Sequence, residues 1–361
     1  MLPDRDAILS ALERVIDPEL KRPVTDLDMV RDVVVAADGS VDVTIALTVA
    51  GCPLRHSFEE QVAREVGGVS GVTGTRLHFD VMTPDEKAAL ATRLRGGRPE
   101  RTVQLDPSVR VIAVASGKGG VGKSTLTANI AAALAARGER VGVLDADVYG
   151  YSIPHVLGVH QRPVVVDSMI IPPVRGELKV MSMGLFAEDN GPIMWRGPML
   201  HRALEQFLSD VHWGDLDTLV VDMPPGTGDV AISLGQLLPR AEAVVVTTPQ
   251  PAAQQVAVRA ALMAQKTGMR ITGIVENMSY LVGTGQELFG AGGGQALADE
   301  IGAPLLARIP LDPALREASD AGMPVLEAAP AAEATAAIVA LADELRARRP
   351  VGIRKTLTVL Q

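Results

Sequence analysis

The chain has 361 residues, 47% of them hydrophobic, and a formal net charge of −9. That suits two or three globular domains with real cores and argues against a broad nucleic-acid-binding surface. Aromatic residues are only 3% and Cys52 is the single cysteine, so aliphatic cores are expected, base-stacking platforms are not, and an internal disulfide is excluded. The N-terminus has no signal-peptide core, and no apolar run reaches membrane-spanning length. The expectation is a cytoplasmic protein that engages neither membrane nor nucleic acid.

Residues 3–16 carry Ile8, Leu9, Leu12, Val15 and Ile16 at helical spacing, with Asp4 or Asp6 as an early cap. Asp17-Pro18-Glu19-Leu20 then stops the helix. Two strands, 30–35 and 40–48, flank Asp38-Gly39, a strong hairpin signal. A turn at 50–53, a helix over 55–66 and a strand over 73–81 complete a small α+β domain, residues 1–92. Cys52 sits in that turn just before a helix. It reads either as a thiol activated by the helix N-terminus or as a small buried hydrophobe. His56 reads as a second soft ligand or as a solvated side chain. Residues 93–107 hold Gly96, Gly97 and Pro99 and read as a linker.

The second domain, 108–349, opens on an apolar strand over 109–115 that ends in Gly117-Lys118-Gly119-Gly120-Val121-Gly122-Lys123-Ser124-Thr125. Gly117, Gly122, Lys123 and Ser124 have the spacing of a phosphate-binding loop. Glycines let the backbone curl so that successive N–H groups face a phosphate. A helix over 123–137, closed by Gly138, adds its positive end. Lys123 reaches the β- and γ-phosphates, and the Ser124 hydroxyl is suited to Mg²⁺. Further apolar strands are expected at 140–144, 179–182, 218–221, 243–247, 271–275 and 305–309. Helices are expected between and after them at 199–211, 230–238, 252–267, 294–301 and 331–348. Such alternation means a parallel, doubly wound α/β sheet. Residues 350–361 form a tail.

In such a sheet, ligands gather at the carboxyl ends of the strands. Asp145 and Asp147 follow one strand and Asp222 another, so they converge on the loop. Asp222 stands where a magnesium-holding carboxylate is expected. Asp147 is placed to orient an attacking water, with Asp145 supporting it. The glycines of Pro224-Pro225-Gly226-Thr227-Gly228-Asp229 allow a segment that responds when a γ-phosphate leaves. Lys118, a second lysine inside the loop, reads either as a solvated side chain or as a cation offered to a nucleotide held by a second copy, in the manner of an arginine finger.

The segments VIDPELKRPVTDLDMV and LTVAGCPLRHSFEEQV resemble the small PaaD-like domain of iron–sulfur assembly proteins over most of residues 4–88. In that family the cysteine at the Cys52 position is the residue of interest. The segments GKGGVGKST, DADVYGYSIPHVLG, MWRGPML, DTLVVDMPPGTGD and VENMSY, in that order, resemble the Mrp/ApbC group of P-loop ATPases, the iron–sulfur cluster carriers, over roughly 108–345. The resemblance implies an ATP- and Mg²⁺-binding homodimer that hydrolyses ATP, serves apoprotein clients or assembly proteins, and uses Lys118 in trans. It implies that Asn277 contacts adenine, with a turn at Ile309-Pro310-Leu311 beside the base; read alone, Asn277 serves equally as a turn former.

One departure stands out. After the Tyr of ENMSY the family carries a Cys-Pro-x-Cys pair that supplies cluster ligands at the dimer interface. Here residues 281–294 read LVGTGQELFGAGGG and hold no cysteine. A four-iron cluster takes four thiolates, whereas a dimer of this chain has two, both Cys52. Either the cluster uses Cys52 with other ligands, a partner supplies it, or the cargo differs. The competing expectation is a metal-free ATP-gated switch of the septum-site and partition ATPase group. A small-molecule kinase is the third class.

Overall fold

The computed structural model describes residues 2–49, 54–95, 105–106, 108–147, 150–186, 197–238 and 240–349. Cys52 with its turn, most of the expected linker and the tail from 350 lie outside the described residues. The chain forms two units. One comprises Met1–Thr102, Gln161–Val174 and Asp210–Gly214; the other comprises Val103–His160, Arg175–Ser209 and Asp215–Gln361.

In chain order, the N-terminal residues give α1 (Arg5–Leu12), β1 (Val30–Val35), β2 (Ser40–Leu47), α2 (Arg55–Glu65), β3 (Gly74–Val81) and α3 (Pro84–Arg95). Then come β4 (Arg110–Ser116), α4 (Lys123–Ala136), β5 (Val141–Asp145), α5 (Ile153–Val156), β6 (Val164–Val166), β7 (Met169–Ile171), β8 (Val174–Arg175) and β9 (Leu178–Ser182). The chain continues through α6 (Gly197–Ser209), β10 (Thr218–Asp222), α7 (Asp229–Leu237), β11 (Glu242–Thr247), α8 (Pro251–Lys266), β12 (Arg270–Leu281) and α9 (Gly293–Ile301). It ends with β13 (Leu305–Leu311), α10 (Pro313–Asp320), α11 (Val325–Ala328) and α12 (Glu333–Ala347).

In the first unit β1 and β2 pair antiparallel and β2 pairs with β3 in parallel. Gly39 at φ 85° makes the turn, and the Asp38 carboxylate accepts from Ser40 N at 2.9 Å. Asp4 caps α1, which stops at Leu12, short of the expected 16, because Ile16 is taken up in a bridge with Pro23. A helix and a hairpin of this unit were not expected. Helix α3 starts on a capping box: Thr83 N donates to Glu86 Oε2 at 2.7 Å and Glu86 N donates back to Thr83 Oγ1 at 3.3 Å. The hairpin β6–β7, turning at Asp167 (φ 55°), belongs to this unit although it follows α5 in the chain. Its Val166, Met169 and Ile171 are buried in the same core as Ile8, Leu27, Ile45 and Phe58.

The second unit is an eight-stranded sheet in the order β13-β12-β11-β4-β10-β5-β9-β8, with parallel pairing from β13 through to β9. Strands β4, β5, β10 and β11 are almost wholly buried, as uninterrupted apolar runs require when helices cover both faces. Helix α4 has no apolar stripe; nearly all of its small and aliphatic residues are buried, in one core with Ile112, Val143, Ile338 and Leu341. Residues 309–311, expected as a turn, lie in β13. Pro310 fits there because β13 is an edge strand, where a missing N–H breaks no ladder.

The amino ends of the strands are tied by a buried ion pair. Arg110, first in β4, meets Glu242, first in β11, through Nη2–Oε2 at 2.6 Å and Nε–Oε1 at 3.2 Å, and Arg110 Nη1 donates to the Leu345 carbonyl at 2.6 Å. Arg270 and Thr272 of β12 also bind Glu242. Removing Arg110 leaves the buried Glu242 with only Thr272 and the largely exposed Arg270 as partners, so Arg110→Ala should lower the unfolding free energy by about 3 kcal/mol. Pairing Arg110→Met with Glu242→Leu should recover part of that loss. Denaturant unfolding of the two variants beside the wild type measures both outcomes.

Candidate functional site

Between β4 and α4, residues 117–122 form the loop around which the site is built. Gly120 and Gly122 stand in the left-handed region, at φ 79° and 81°, which a side chain makes costly. Gly117 answers a different demand. A Cβ there would lie 2.3 Å from the Val256 carbonyl carbon and 2.4 Å from Ala257 N, so the backbone of α8 passes directly against the loop. A Cβ at Gly119 or Gly120 would meet nothing within 4 Å, and that open side borders a cavity of about 500 Å³, a size typical of ligand sites. The cavity is lined by Lys118, Gly119, Gly120, Gly122, Lys123, Ser124 and Thr125, by Ser116 at the end of β4, by Asp147, Gly150 and Ser152 after β5, and by Pro225 after β10.

Beside the loop, Asp222 ends β10 fully buried. Lys123 Nζ lies 2.8 Å from its Oδ1, Ser124 Oγ donates to its Oδ2 at 2.6 Å, and Thr127 Oγ1 donates to its Oδ1 at 2.9 Å. Lys123 also approaches Ser124 Oγ at 3.2 Å and Asp147 Oδ2 at 3.9 Å. Asp145 lies directly across the ladder from Asp222. Its carboxylate accepts from the N–H groups of Asp147 (3.2 Å), Ser152 (3.1 Å) and Ile153 (3.2 Å), and from Ser182 Oγ (3.1 Å). Burial, then repulsion from Asp222, push the Asp145 carboxyl up, while the N–H donors and Lys123 oppose that shift. The stretch after β10 is pinned to the loop's root, where Gly226 N donates to the Ser116 carbonyl at 2.8 Å.

The expected residues therefore gather in part. Gly117 to Thr125, Asp145, Asp147 and Asp222 meet at the carboxyl edge of neighbouring strands. Lys118 turns back on its own chain, its Nζ donating to Gln250 Oε1 at 3.1 Å. Asn277 is buried, and its Nδ2 donates to the Val121 carbonyl at 2.8 Å. Pro310 is buried on β13, and neither it nor Asn277 lines the cavity among the described residues. His56 is 81% exposed between Glu59 and Glu60. Among the described residues, no group of three or more His, Cys, Asp and Glu side chains is placed to hold a metal.

Three contributors were not singled out from the sequence: Thr127, Ser182 and Gln250. Thr127 lies one helical turn beyond Lys123 on the face that meets Asp222. Ser182 and Gln250 follow the rule that already found the aspartates, since Ser182 ends β9 and Gln250 follows β11 at the same sheet edge.

Known proteins similar to this chain are numerous. The family described as NUBPL iron-transfer P-loop NTPase matches residues 108–346, and one described as iron–sulfur cluster assembly protein matches residues 5–78. An iron–sulfur cluster carrier protein from Mycobacterium tuberculosis is 52% identical over 355 residues, spanning 95% of this chain and 93% of its own. Its counterpart from Synechocystis is 40% identical, spanning 94% and 96%. Among solved structures, a nucleotide-binding protein from Archaeoglobus fulgidus in complex with ADP is similar at 37% identity and a TM-score of 0.51, over 60% of this chain and 87% of its own. The cell division ATPase MinD of Pyrococcus furiosus is similar at 27% identity and a TM-score of 0.53, over 66% and 98%. No described helix is long and apolar enough to cross a membrane. With more than half of its length matched by the one model and relatives matched end to end, the chain belongs to the family of NUBPL iron-transfer P-loop NTPases.

Proposed function

We propose that this chain is a cytoplasmic, homodimeric ATPase that binds iron–sulfur clusters and passes them to apoproteins or assembly proteins. The convergence of Lys123, Ser124 and Asp222 beside one cavity, in a chain whose relatives are named carriers, supports that reading. The resident oxygens fit a hard cation. Ser124 Oγ and the Asp222 carboxylate would hold Mg²⁺, which when bound neutralises phosphate charge. Lys123, which pairs with Asp222, shares its charge with the β- and γ-phosphates of ATP. The loop N–H groups take up the remaining oxygens. Asp147 orients the attacking water, and Asp145, which accepts from the Asp147 N–H, holds that segment in place. The stretch 224–229 senses the γ-phosphate through its tie to Ser116. Lys118 exchanges Gln250 for a nucleotide on the second copy. Pro310 is the candidate for the adenine side of the site.

The cargo site is less conventional. Two thiolates per dimer do not complete a four-thiolate cluster, so the cluster draws on Cys52 together with ligands from a partner or from oxygen and nitrogen groups. The missing cysteine pair favours a second reading, a metal-free ATP-gated switch. Iron and sulfide assayed after anaerobic reconstitution separate the two. The carrier reading expects both in the wild-type protein and less of both in Cys52→Ala; absence of both from the wild type supports the switch.

Lys123→Ala should reduce ATP hydrolysis by about a hundredfold or more, since it deletes a charge aimed at the transferring group; near-normal hydrolysis would remove the site assignment. Lys118→Ala should bind ATP as the wild type does yet lose the part of its turnover that rises with protein concentration. Steady-state rates across a dilution series test that trans role.

A further inference from the structure

Among the described residues, Asn277 is an expected site residue whose observed partner is the phosphate loop rather than the cavity. Its Nδ2 donates to the Val121 carbonyl at 2.8 Å and is buried with it. The approach is close: a Cβ on Gly122 would fall 2.2 Å from Nδ2. The strand is shaped to deliver this contact. Asn277 pairs with Ile309, after which the β12–β13 register shifts, and Met278 takes a left-handed φ of 57°. Both neighbours of Asn277 are fixed. Glu276 accepts from Gly294 N at 2.6 Å and from Arg308 Nε at 3.0 Å, while the Met278 methyl carbon lies 3.8 Å from where a Cβ on Gly122 would stand.

The contact acts through the peptide plane. All peptide bonds among the described residues are trans, and in a planar trans peptide C=O and N–H point in opposite directions. Holding the Val121 carbonyl toward Asn277 therefore aims the Gly122 N–H the other way, toward the cavity that Gly122 lines. We infer that Asn277 is a positioning residue for the phosphate loop, fixing through Val121 the direction of a backbone donor that meets a phosphate oxygen. The inference rests on reading the cavity as a triphosphate site. It gives Asn277 a role that does not require the base.

The test compares ligands with and without a base on the full chain. Asn277→Ala and Asn277→Asp are titrated calorimetrically with magnesium tripolyphosphate, magnesium ATP and magnesium GTP. The alanine variant should weaken all three by a similar factor, about three- to tenfold, the range for one buried hydrogen bond. The aspartate variant keeps the shape but sets a carboxylate against a carbonyl and should weaken them more. The ratio of ATP to GTP affinity should stay at the wild-type value. Wild-type tripolyphosphate binding in both variants, with loss confined to ATP and a collapsed ATP-to-GTP ratio, makes Asn277 a reader of the base and overturns the inference. A wild-type protein that binds none of the three ligands overturns the triphosphate reading itself, and this inference falls with it. Should the alanine variant fail to fold, the near-isosteric aspartate variant carries the same comparison.

Discussion

A single buried carboxylate governs the second unit. Asp222 is fully enclosed at the end of a central strand and receives Lys123, Ser124 and Thr127. A charge in that position is tolerable only when it is paired and hydrogen-bonded. All three partners come from the first turns of α4, so meeting the needs of one aspartate draws the start of the helix against the sheet. The same contacts keep the lysine and the hydroxyl at the cavity. Folding and preorganisation of the site are here one requirement.

Around that pair the charge balance is tight. Asp145 sits across the ladder from Asp222 with backbone N–H groups and Ser182 around it. Two carboxylates so close repel, and Lys123 is the cation that faces both Asp222 and Asp147. On the function proposed above, a magnesium-bound triphosphate would bring both signs of charge and let the lysine leave Asp222 without stranding it.

The site was legible to the extent that its chemistry is local in the chain. The loop from Gly117 to Thr125 is one contiguous segment whose glycines are demanded by backbone geometry. Asp145 and Asp222 announce themselves as charges ending apolar runs. Contacts that reach across the sheet gave no such sign. Gln250, after β11 next to β4, meets Lys118, and Asn277, named only through the family resemblance, meets Val121 from β12, one strand further out. In the fold, the main strands follow from their uninterrupted apolar runs. Helix α3 was hidden by its charged surface, though Thr83 and Glu86 carried a capping signal. The β6–β7 hairpin was hidden because each of its strands is only three residues long, below the length at which alternation is readable.

That hairpin bears on how the chain is partitioned. Its buried valine, methionine and isoleucine complete a core whose other members precede residue 92, yet it is encoded beyond the phosphate loop and the first of the strand-end aspartates. The N-terminal unit is therefore not a bead at the end of a tether. A chain beginning at Val103 would leave three apolar side chains without their neighbours, and an isolated N-terminal fragment would lack part of its interior.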